Sequence, residues 1–248
     1  MTEPTDTAPL RAELERVASP EAVQTVYDLI KRQGPELAKV VPESIGVEGF
    51  SRTVLTEIRR TPKLLECSPE SLLGAMMLAA QLGLEPGPLG QVYLVPYKRQ
   101  VEFVVGYRGY IDLAYRSGQV KDVSAQLVHE GDSFAYQYGT TPRLTHVPLG
   151  PADEREIEAA YAVARLRTGG TVFAVIYEDD WERARKASPT GSKNVGPWVE
   201  HRPAMIRKTA VRRLEPLLPK SPLFAQAVER DETPAPGPVE LADEGTGL

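Results

Sequence analysis

Basic side chains with aromatic neighbours carry the strongest chemical signal in the sequence. From Trp181 to Lys220 the chain has ten Lys and Arg residues against three acids, and from Tyr97 to Lys121 it has five against two. Lys and Arg neutralise the phosphates of nucleic acids, and aromatic rings stack on bases or sugars. We therefore expect a nucleic-acid-binding surface. Its candidate residues are Lys98, Arg99, Tyr107, Arg108, Lys193, Trp198, Arg207, Lys208, Arg212 and Arg213.

Arg108 is the strongest single candidate, because it follows Gly106 at a predicted junction between a strand and a helix. A glycine at such a junction lets the backbone approach a ligand closely. The aromatic candidates each have a second interpretation. The residue type favours core packing over base stacking for Trp198, whereas Tyr97 and Tyr107 fit both roles equally well.

A helix is predicted from about Val199 to Leu218, and its two faces differ in character. At 100° per residue, apolar side chains such as Ile206 and Leu214 fall on one side, which we expect to face the core. Lys208 and Arg212 fall on the opposite side. Like charges four residues apart repel each other in an isolated helix, which favours a polyanionic partner. This basic face either binds phosphates or simply faces solvent.

The formal net charge is −5 at pH 7, which taken alone argues against a nucleic-acid partner. The acids are concentrated elsewhere, however. Asp122 to Asp180 contains ten acids against four bases, and Glu229 to Leu248 contains six against one. Segregated charge indicates an interaction surface better than net charge does. Surface helices are also commonly charged, so composition alone leaves a plain solvent-exposed surface open.

The sequence lacks the motifs of nucleotide-driven and metal-dependent chemistry. It has no G-x-x-x-x-G-K-[ST] phosphate loop and no G-x-G-x-x-G motif, so ATP-driven strand exchange has no support. His129, His146 and His201 show no metal-ligand spacing with Cys67. We expect no cofactor, no metal site and no catalytic residue. The acidic run 178–180 precedes a predicted helix and is interpreted as charge that stabilises the helix dipole rather than as a metal site.

Length and composition indicate a soluble globular protein. The chain has 248 residues, of which 42% are hydrophobic, enough for one main domain with a proper core. The single cysteine, Cys67, permits no disulfide within the chain and favours a reducing compartment. No run approaches the ~20 apolar residues of a membrane helix, and the N-terminus does not resemble a signal peptide. We expect a cytoplasmic protein with no membrane partner.

Apolar periodicity divides the chain into four zones. In the helical N-terminal zone, breaks are expected at Ser19–Pro20 and Gly34–Pro35. The two ends have too little apolar content to join a core. The zones are a disordered tail 1–8, an N-terminal helical region 9–48, a core 49–230 and a disordered acidic tail 231–248 that contains Pro and Gly.

Local signals within the core zone predict an α+β fold, with helices packed around a small antiparallel sheet plus a protruding β-hairpin. Ser68 is the expected N-cap of a helix that starts with Pro69, runs to Leu82 and is closed by Gly83. Two strand-like runs joined by Lys98–Arg99 form the hairpin. Further helices are expected at Gly49–Arg60, Tyr110–Ser117 and Trp181–Ala187. Further strands are expected at Val120–Val128, Phe134–Tyr138, Arg143–Val147, Ile157–Arg167 and Thr171–Tyr177.

Several short motifs stand in order between residues 49 and 221. They are Thr61–Leu65, Cys67–Ser71, Ala79–Pro86, Tyr93–Tyr97, Gly106–Gly109, Ile111–Ala114, Gly196–Trp198 and Met205–Leu214. Together they resemble the RecT family of phage recombinases, which are single-strand DNA annealing proteins. The N-terminal helices and the acidic tail carry no motif of this kind.

The resemblance implies a protein that is not an enzyme and that binds and anneals single-stranded DNA without ATP in homologous recombination and DNA repair. It also implies a homo-oligomer, either a ring or a helical filament, that holds the strands and the annealed duplex DNA in a basic groove. A DNA role carries over to Arg108, Lys208, Arg212 and Arg213. A cognate exonuclease or a host single-strand-binding protein is an implied partner, in the cytoplasm of a bacterial host cell.

Two other classes of function stay open. A metal-dependent nuclease would use Asp179, Asp180 or other carboxylates that the fold brings together. A non-catalytic scaffold would act through its tails alone. Degradation of DNA in Mg²⁺ favours the nuclease, faster pairing of strands without a nucleotide favours annealing, and a lack of DNA binding at low salt favours the scaffold.

Overall fold

A computed structural model of the chain describes residues 20–43, 45–151, 155–188, 191, 196–219 and 222–232. Two short 3-10 turns, Pro62–Glu66 and Glu215–Leu217, accompany the regular elements. The helices are α1 Pro20–Val40, α2 Val47–Arg60, α3 Pro69–Leu82, α4 Tyr107–Arg116, α5 Glu178–Ala187, α6 Pro197–Glu200, α7 Arg202–Leu214 and α8 Pro222–Glu232. The strands are β1 Val92–Tyr97, β2 Gln100–Val105, β3 Val120–His129, β4 Ser133–Gln137, β5 Arg143–Val147, β6 Ile157–Leu166 and β7 Thr171–Ile176.

Every ladder between two of the described strands is antiparallel. β1 pairs with β2, β4 pairs with β5, and β6 lies between β3 and β7. The predicted α+β class is confirmed. The predicted β1–β2 hairpin forms a sheet of its own, and the remaining strands form two antiparallel sheets rather than one, because β4 and β5 pair only with each other among the described strands.

The central strand β6 explains why the molecule has two apolar layers. Side chains alternate between the two faces of a strand. Ala160, Ala162 and Ala164 face the main core, where α7 crosses β6 and β7. Ala159 and Tyr161 face the other side and pack under the β4–β5 hairpin. The three-stranded sheet therefore separates the helices from this hairpin.

Helix α3 begins and ends where the sequence predicts. The Ser68 hydroxyl accepts the N–H of Ser71 at 3.2 Å, and Pro69 occupies the first helical position. Gly83 closes the helix in the left-handed conformation, with φ 61°. A side chain would disfavour that conformation, so the local sequence alone determines this boundary.

The predicted break at Gly34–Pro35 is wrong, because α1 runs through it without interruption. Ile30 and Leu37, on either side of the proline, are both buried in the core. Packing of an apolar face supplies most of the stability of a helix in a protein and here outweighs the local cost of one proline. The other expected break, at Ser19–Pro20, begins outside the described residues.

The predicted helix Val199–Leu218 is divided in the structure. His201 has a non-helical backbone and separates α6 from α7. Pro203 stands in the first turn of α7, where its missing N–H costs nothing, whereas a helix continuing through it would lose a hydrogen bond. After Leu214 the chain continues as the 3-10 turn.

The end of the chain also differs from the expectation. Helix α8 extends to Glu232, so Asp231 belongs to the folded part rather than to a disordered tail. The predicted tail 1–8 and the rest of the predicted tail 231–248, from residue 233 on, lie outside the described residues. Among the helices described, none has both the length and the apolar character needed to cross a membrane.

Candidate nucleic-acid interface

The tip of the β1–β2 hairpin presents two exposed basic residues on an unfavourable backbone. Lys98 and Arg99 have φ values of 46° and 61°, in the left-handed region. Two-residue hairpin turns of this kind favour Asn-Gly, and for other side chains the conformation costs about 1 to 2 kcal/mol per residue. Turn geometry therefore does not explain why these two positions are basic.

Hydrogen bonds hold the hairpin tip against the start of α3. The N–H of Ser68 donates to the Arg99 carbonyl at 2.8 Å, and the N–H of Val101 donates to the Ser71 hydroxyl at 3.1 Å. The ammonium group of Lys98 lies over the ring of Tyr97, 5.4 Å from its centroid. The basic tip is thus attached to the core at a fixed position.

The Gly106–Gly109 junction, where β2 leads into α4, packs directly on the backbone before β1. The N–H of Gly106 donates to the Gln91 carbonyl at 2.8 Å. A Cβ atom on Gly106 would overlap the Gly90 carbonyl, and one on Gly109 would overlap that of Gln91. The close approach expected at this junction is therefore an approach to protein backbone and not to a ligand.

This packing leaves Arg108 exposed on a rigid support. Its Nε donates to the Tyr107 hydroxyl at 3.3 Å, and its Nη1 donates to the Leu89 carbonyl at 3.4 Å. The guanidinium carbon lies 5.9 Å from the centroid of the Tyr107 ring. The hydrogen bond to Tyr107 raises the pKa of Arg108 above its ordinary value, so this side chain is a permanent cation.

A groove of about 500 Å³ lies between the β1–β2 hairpin and the segment of α6 and α7, and we call it the hairpin groove. Tyr97 and Tyr107 both line it, together with Tyr93. The rings of Tyr93 and His201 stack with centroids 6.2 Å apart across the groove, between β1 and the start of α7. Burial raises the pKa of Tyr93, which keeps its hydroxyl protonated. The groove is therefore lined by several aromatic rings, with a cation over the ring of Tyr97 and another over that of Tyr107, and by the carboxylates of Glu57 and Glu200.

A second groove, of about 650 Å³, lies between α5, α7 and α8, and we call it the helix groove. It adjoins the first, because Val95, Val104, Pro197, Met205 and Lys208 line both. Its bases are Arg183, Lys208, Arg212, Arg213 and Arg230. Its acids are Glu102, Asp180, Glu215 and Asp231. The basic surface expected from the sequence is thus largely neutralised by acids that other elements contribute.

Lys208 does not lie on an exposed face, contrary to the expectation from the helical period. Its side chain is 7% exposed, and its Nζ donates to Asp231 Oδ1 at 2.7 Å. Arg212 Nη1 lies 3.5 Å from Asp231 Oδ2. Burial lowers the pKa of Lys208, and the charge of Asp231 opposes this shift. The expectation is wrong because Asp231, in the last turn of α8, packs against Lys208 and Arg212 on this side of α7.

The remaining candidates differ in their access to solvent. Arg213 is exposed and Arg207 is half-buried on α7. Trp198 is buried, as the core-packing interpretation requires, and it forms part of the wall of the helix groove. Lys193 lies outside the described residues. Lys98, Arg99, Arg108 and Arg213 therefore remain as exposed cations.

The structure also contains an exposed aromatic patch that the sequence does not predict. Tyr136, Tyr138 and Tyr177 are exposed, and the ring of Tyr138 stacks on Phe173 with centroids 4.9 Å apart. The Tyr177 hydroxyl donates to that of Tyr136 at 3.2 Å, which raises the pKa of Tyr177 to about 12. The alternating aromatic residues of β4 are visible in the sequence. Only the fold shows that they contact residues of β7 and of the turn after it.

Asp132 organises the other side of the sheet. Its Oδ2 lies 3.0 Å from His146 Nε2 and its Oδ1 lies 2.7 Å from Arg155 Nη1. His129 Nδ1 is 3.9 Å from the same carboxylate. Two histidines that are distant in sequence thus share one acid, but the guanidinium occupies the place a cation would take. Within the described ranges, no three His, Cys, Asp or Glu residues come together as metal ligands.

The acidic run 178–180 caps α5, as its sequence context suggested. Asp180 Oδ2 accepts the N–H of Tyr177 at 3.2 Å, and all three acids lie in the first turn of the helix. Negative charge at this end stabilises the helix dipole. The local geometry is that of a helix N-terminus.

Comparison with known proteins identifies the family of this chain. The sequence profile of the RecT family matches residues 48–244. The chain is 42% identical over 206 residues to Protein RecT of Escherichia coli (strain K12), covering 79% of this chain and 76% of that protein. It is 34% identical over 101 residues to the uncharacterized protein YqaK of Bacillus subtilis (strain 168), covering 40% of this chain and 36% of that protein. The chain therefore belongs to the RecT family of DNA strand-annealing recombination proteins.

Proposed function

We propose that this protein binds single-stranded DNA along the hairpin groove and anneals complementary strands without ATP. Annealing makes and breaks no covalent bond, so the protein needs only to hold a strand by its phosphates and to stabilise the paired product. No step in this process requires a cofactor, and we assign no catalytic residue. The protein is, on this proposal, not an enzyme.

One observation carries the proposal. Tyr97 and Tyr107 line the same groove, and each has a cation over its ring, Lys98 in one case and Arg108 in the other. Alternating aromatic and basic groups along a groove are the usual means of binding a single strand without reading its sequence. Each stacked base contributes about 1 to 3 kcal/mol, and each cation binds a phosphate.

The proposed phosphate-binding residues follow from exposure. Lys98, Arg99 and Arg108 are exposed at the hairpin, and Arg213 is exposed beside the helix groove. We propose that these four and the half-buried Arg207 bind phosphates. Lys193 stays a candidate on its sequence context alone. Trp198 supports the groove wall instead of stacking on a base, because its side chain is buried.

The assembly and setting follow from the family. We propose that several copies form a ring or a helical filament, so that their grooves hold the strands and then the annealed duplex. A cognate exonuclease or a host single-strand-binding protein is the proposed protein partner, and the bacterial cytoplasm is the proposed compartment. Membership of the family supports these statements.

A fluorescence assay tests the proposed activity and its alternatives together. Two complementary oligonucleotides carrying a donor and an acceptor dye are mixed with the protein, without nucleotide, in EDTA or in Mg²⁺. The proposal predicts faster pairing than with DNA alone in both buffers and intact strands on a denaturing gel. Shortened strands in Mg²⁺ would support a metal-dependent nuclease. No binding at low salt would support a scaffold.

A further inference from the structure

The last turn of α8 places one carboxylate over the basic residues of α7. Asp231 is 4% exposed at its side chain, and Lys208 is 7% exposed. Asp231 Oδ1 accepts a hydrogen bond from Lys208 Nζ at 2.7 Å, and its Oδ2 lies 3.5 Å from Arg212 Nη1. Lys208 and Arg212, which the sequence predicts to bind DNA, thus contact an acid of the same chain instead.

A backbone donor completes this set of hydrogen-bond donors. The N–H of Val105, at the end of β2, donates to Asp231 Oδ1 at 3.2 Å. An ammonium group, a guanidinium group and a backbone N–H are the donors that commonly bind a nucleic-acid phosphate. A carboxylate offers the same kind of anionic oxygen as a phosphate does. Asp231 therefore occupies a site whose donors also suit a phosphate of the DNA backbone.

The position of Asp231 in its own helix is electrostatically unfavourable. Negative charge near the C-terminus of a helix opposes the helix dipole. Asp231 lies in the last turn of α8, next to Glu232. Local helix preferences thus do not hold this acid in place, whereas the bases of α7 do.

Helix α8 is anchored at its other end. Phe224 and Ala227 are buried, and the ring of Phe224 lies 5.3 Å from that of Tyr110. Helix ends open more readily than helix centres, since fewer buried neighbours hold them. Opening of the turn after Val228 would uncover Lys208, which lines both grooves, without displacing Phe224.

We infer that Lys208, Arg212 and the Val105 N–H form a phosphate site that Asp231 occupies in the free protein. The DNA backbone and the last turn of α8 then compete for this site, so that the chain limits its own affinity for DNA until a strand displaces the acid. The inference rests on the proposed function. It adds a regulated phosphate site to the grooves already described.

The first test compares two variants of the full chain that lose the same charge. Asp231→Asn keeps an oxygen that accepts hydrogen bonds but removes the charge that competes with phosphate. Glu229→Gln removes a charge from an exposed position on the same helix, outside both grooves. We expect Asp231→Asn to bind a labelled oligo(dT) at least about 5-fold more tightly than the parent, a typical coupling between two sites. Glu229→Gln should bind like the parent.

A second test uses the unmodified chain, so it does not depend on how a variant folds. Hydrogen exchange is measured by mass spectrometry with and without oligo(dT). The inference predicts faster exchange of the amides at 229–232 in the complex, while those at 224–227 stay protected. Unchanged or slower exchange at 229–232 in the complex overturns it.

The outcomes separate this inference from the proposed function. If the parent does not bind oligo(dT) at all, the proposed function fails. If the parent binds but Asp231→Asn gains no more affinity than Glu229→Gln, the inference that Asp231 competes with DNA is wrong, and the proposed function stands. If Asp231→Asn does not fold, the exchange measurement on the parent decides.

Discussion

The ammonium nitrogen of Lys208 lies 2.7 Å from each carboxylate oxygen of Asp231, in a place where both side chains are almost fully buried. A buried pair of this kind contributes little net stability compared with apolar residues of the same size. Removal of one partner, in contrast, leaves the other buried charge poorly compensated. The pair therefore joins α7 to α8 in a way that neither helix predicts alone.

Lys208→Ala should destabilise the protein by up to about 3 to 5 kcal/mol, because it leaves the buried charge of Asp231 with only Arg212 and the Val105 N–H as partners. The double variant Lys208→Met with Asp231→Leu removes both charges and should be destabilised much less. Urea unfolding, followed by circular dichroism, measures both. A Lys208→Ala protein as stable as the parent would mean that the pair is not buried in solution.

Part of the fold is predictable because the signals act over a few residues. Ser68–Pro69 and Gly83 fix the ends of α3 through their own backbone neighbours. The hairpin joined by Lys98–Arg99 follows from two alternating runs and a two-residue turn. Such features need no knowledge of tertiary packing, and the structure reproduces them within one or two residues.

The charge distribution of the site cannot be predicted in this way, because it depends on packing between elements that are distant in the sequence. The helical period of α7 correctly places Ile206 and Leu214 in the core, but it contains no information about what covers the other side. Asp231 lies 23 residues after Lys208, at the end of a separate helix. Only the packing of α8 on α4 and β2 brings this acid to the basic face.

Gly106→Ala should destabilise the protein by about 1 to 3 kcal/mol, because the new methyl group would overlap the Gly90 carbonyl. Gly74→Ala is the matched control. It lies within α3 with no atom near its Cβ position, so alanine should stabilise the helix by up to about 1 kcal/mol. Thermal melts of the two variants should move in opposite directions. Equal shifts would contradict the close packing at the Gly106–Gly109 junction.

The double variant Lys98→Asn with Arg99→Gly separates turn stability from DNA binding. Asn-Gly suits the left-handed turn, so the folded state should gain about 1 kcal/mol or more. Affinity for single strands should nevertheless fall, and the salt dependence should become shallower by about 0.7 for each phosphate that the variant no longer binds. Unfolding curves and a salt titration give the two quantities. Parental DNA binding in the variant would remove the hairpin tip from the interface.

Asp132 should give the protein an acid-sensitive contribution to stability. Backbone N–H groups of His129 and Leu149, followed by Arg155, hold the pKa of this carboxyl well below its usual range. The pKa of Asp132 is lower in the folded protein than its value of about 4 in the unfolded chain. The stability that this carboxylate contributes is therefore fully present above about pH 4 and is lost as the pH falls towards the folded pKa. Asp132→Asn should therefore melt below the parent at pH 7, and the gap should narrow below about pH 4. A gap that is constant with pH would show that the charge of Asp132 does not matter.

Arg108 is the central proposed phosphate-binding residue, because its guanidinium lies beside the ring of Tyr107, which lines the hairpin groove. The direct measurement is the affinity of Arg108→Ala for oligo(dT) across a salt titration. The control is Arg167→Ala, which removes an exposed arginine after β6 for which no contact with an aromatic residue of the hairpin groove is seen. We predict weaker binding by Arg108→Ala at moderate salt, with a slope shallower by about 0.7, and parental behaviour for Arg167→Ala. If a folded Arg108→Ala protein binds like the parent at every salt concentration, or if both variants bind equally weakly, the hairpin groove is not the DNA-binding site.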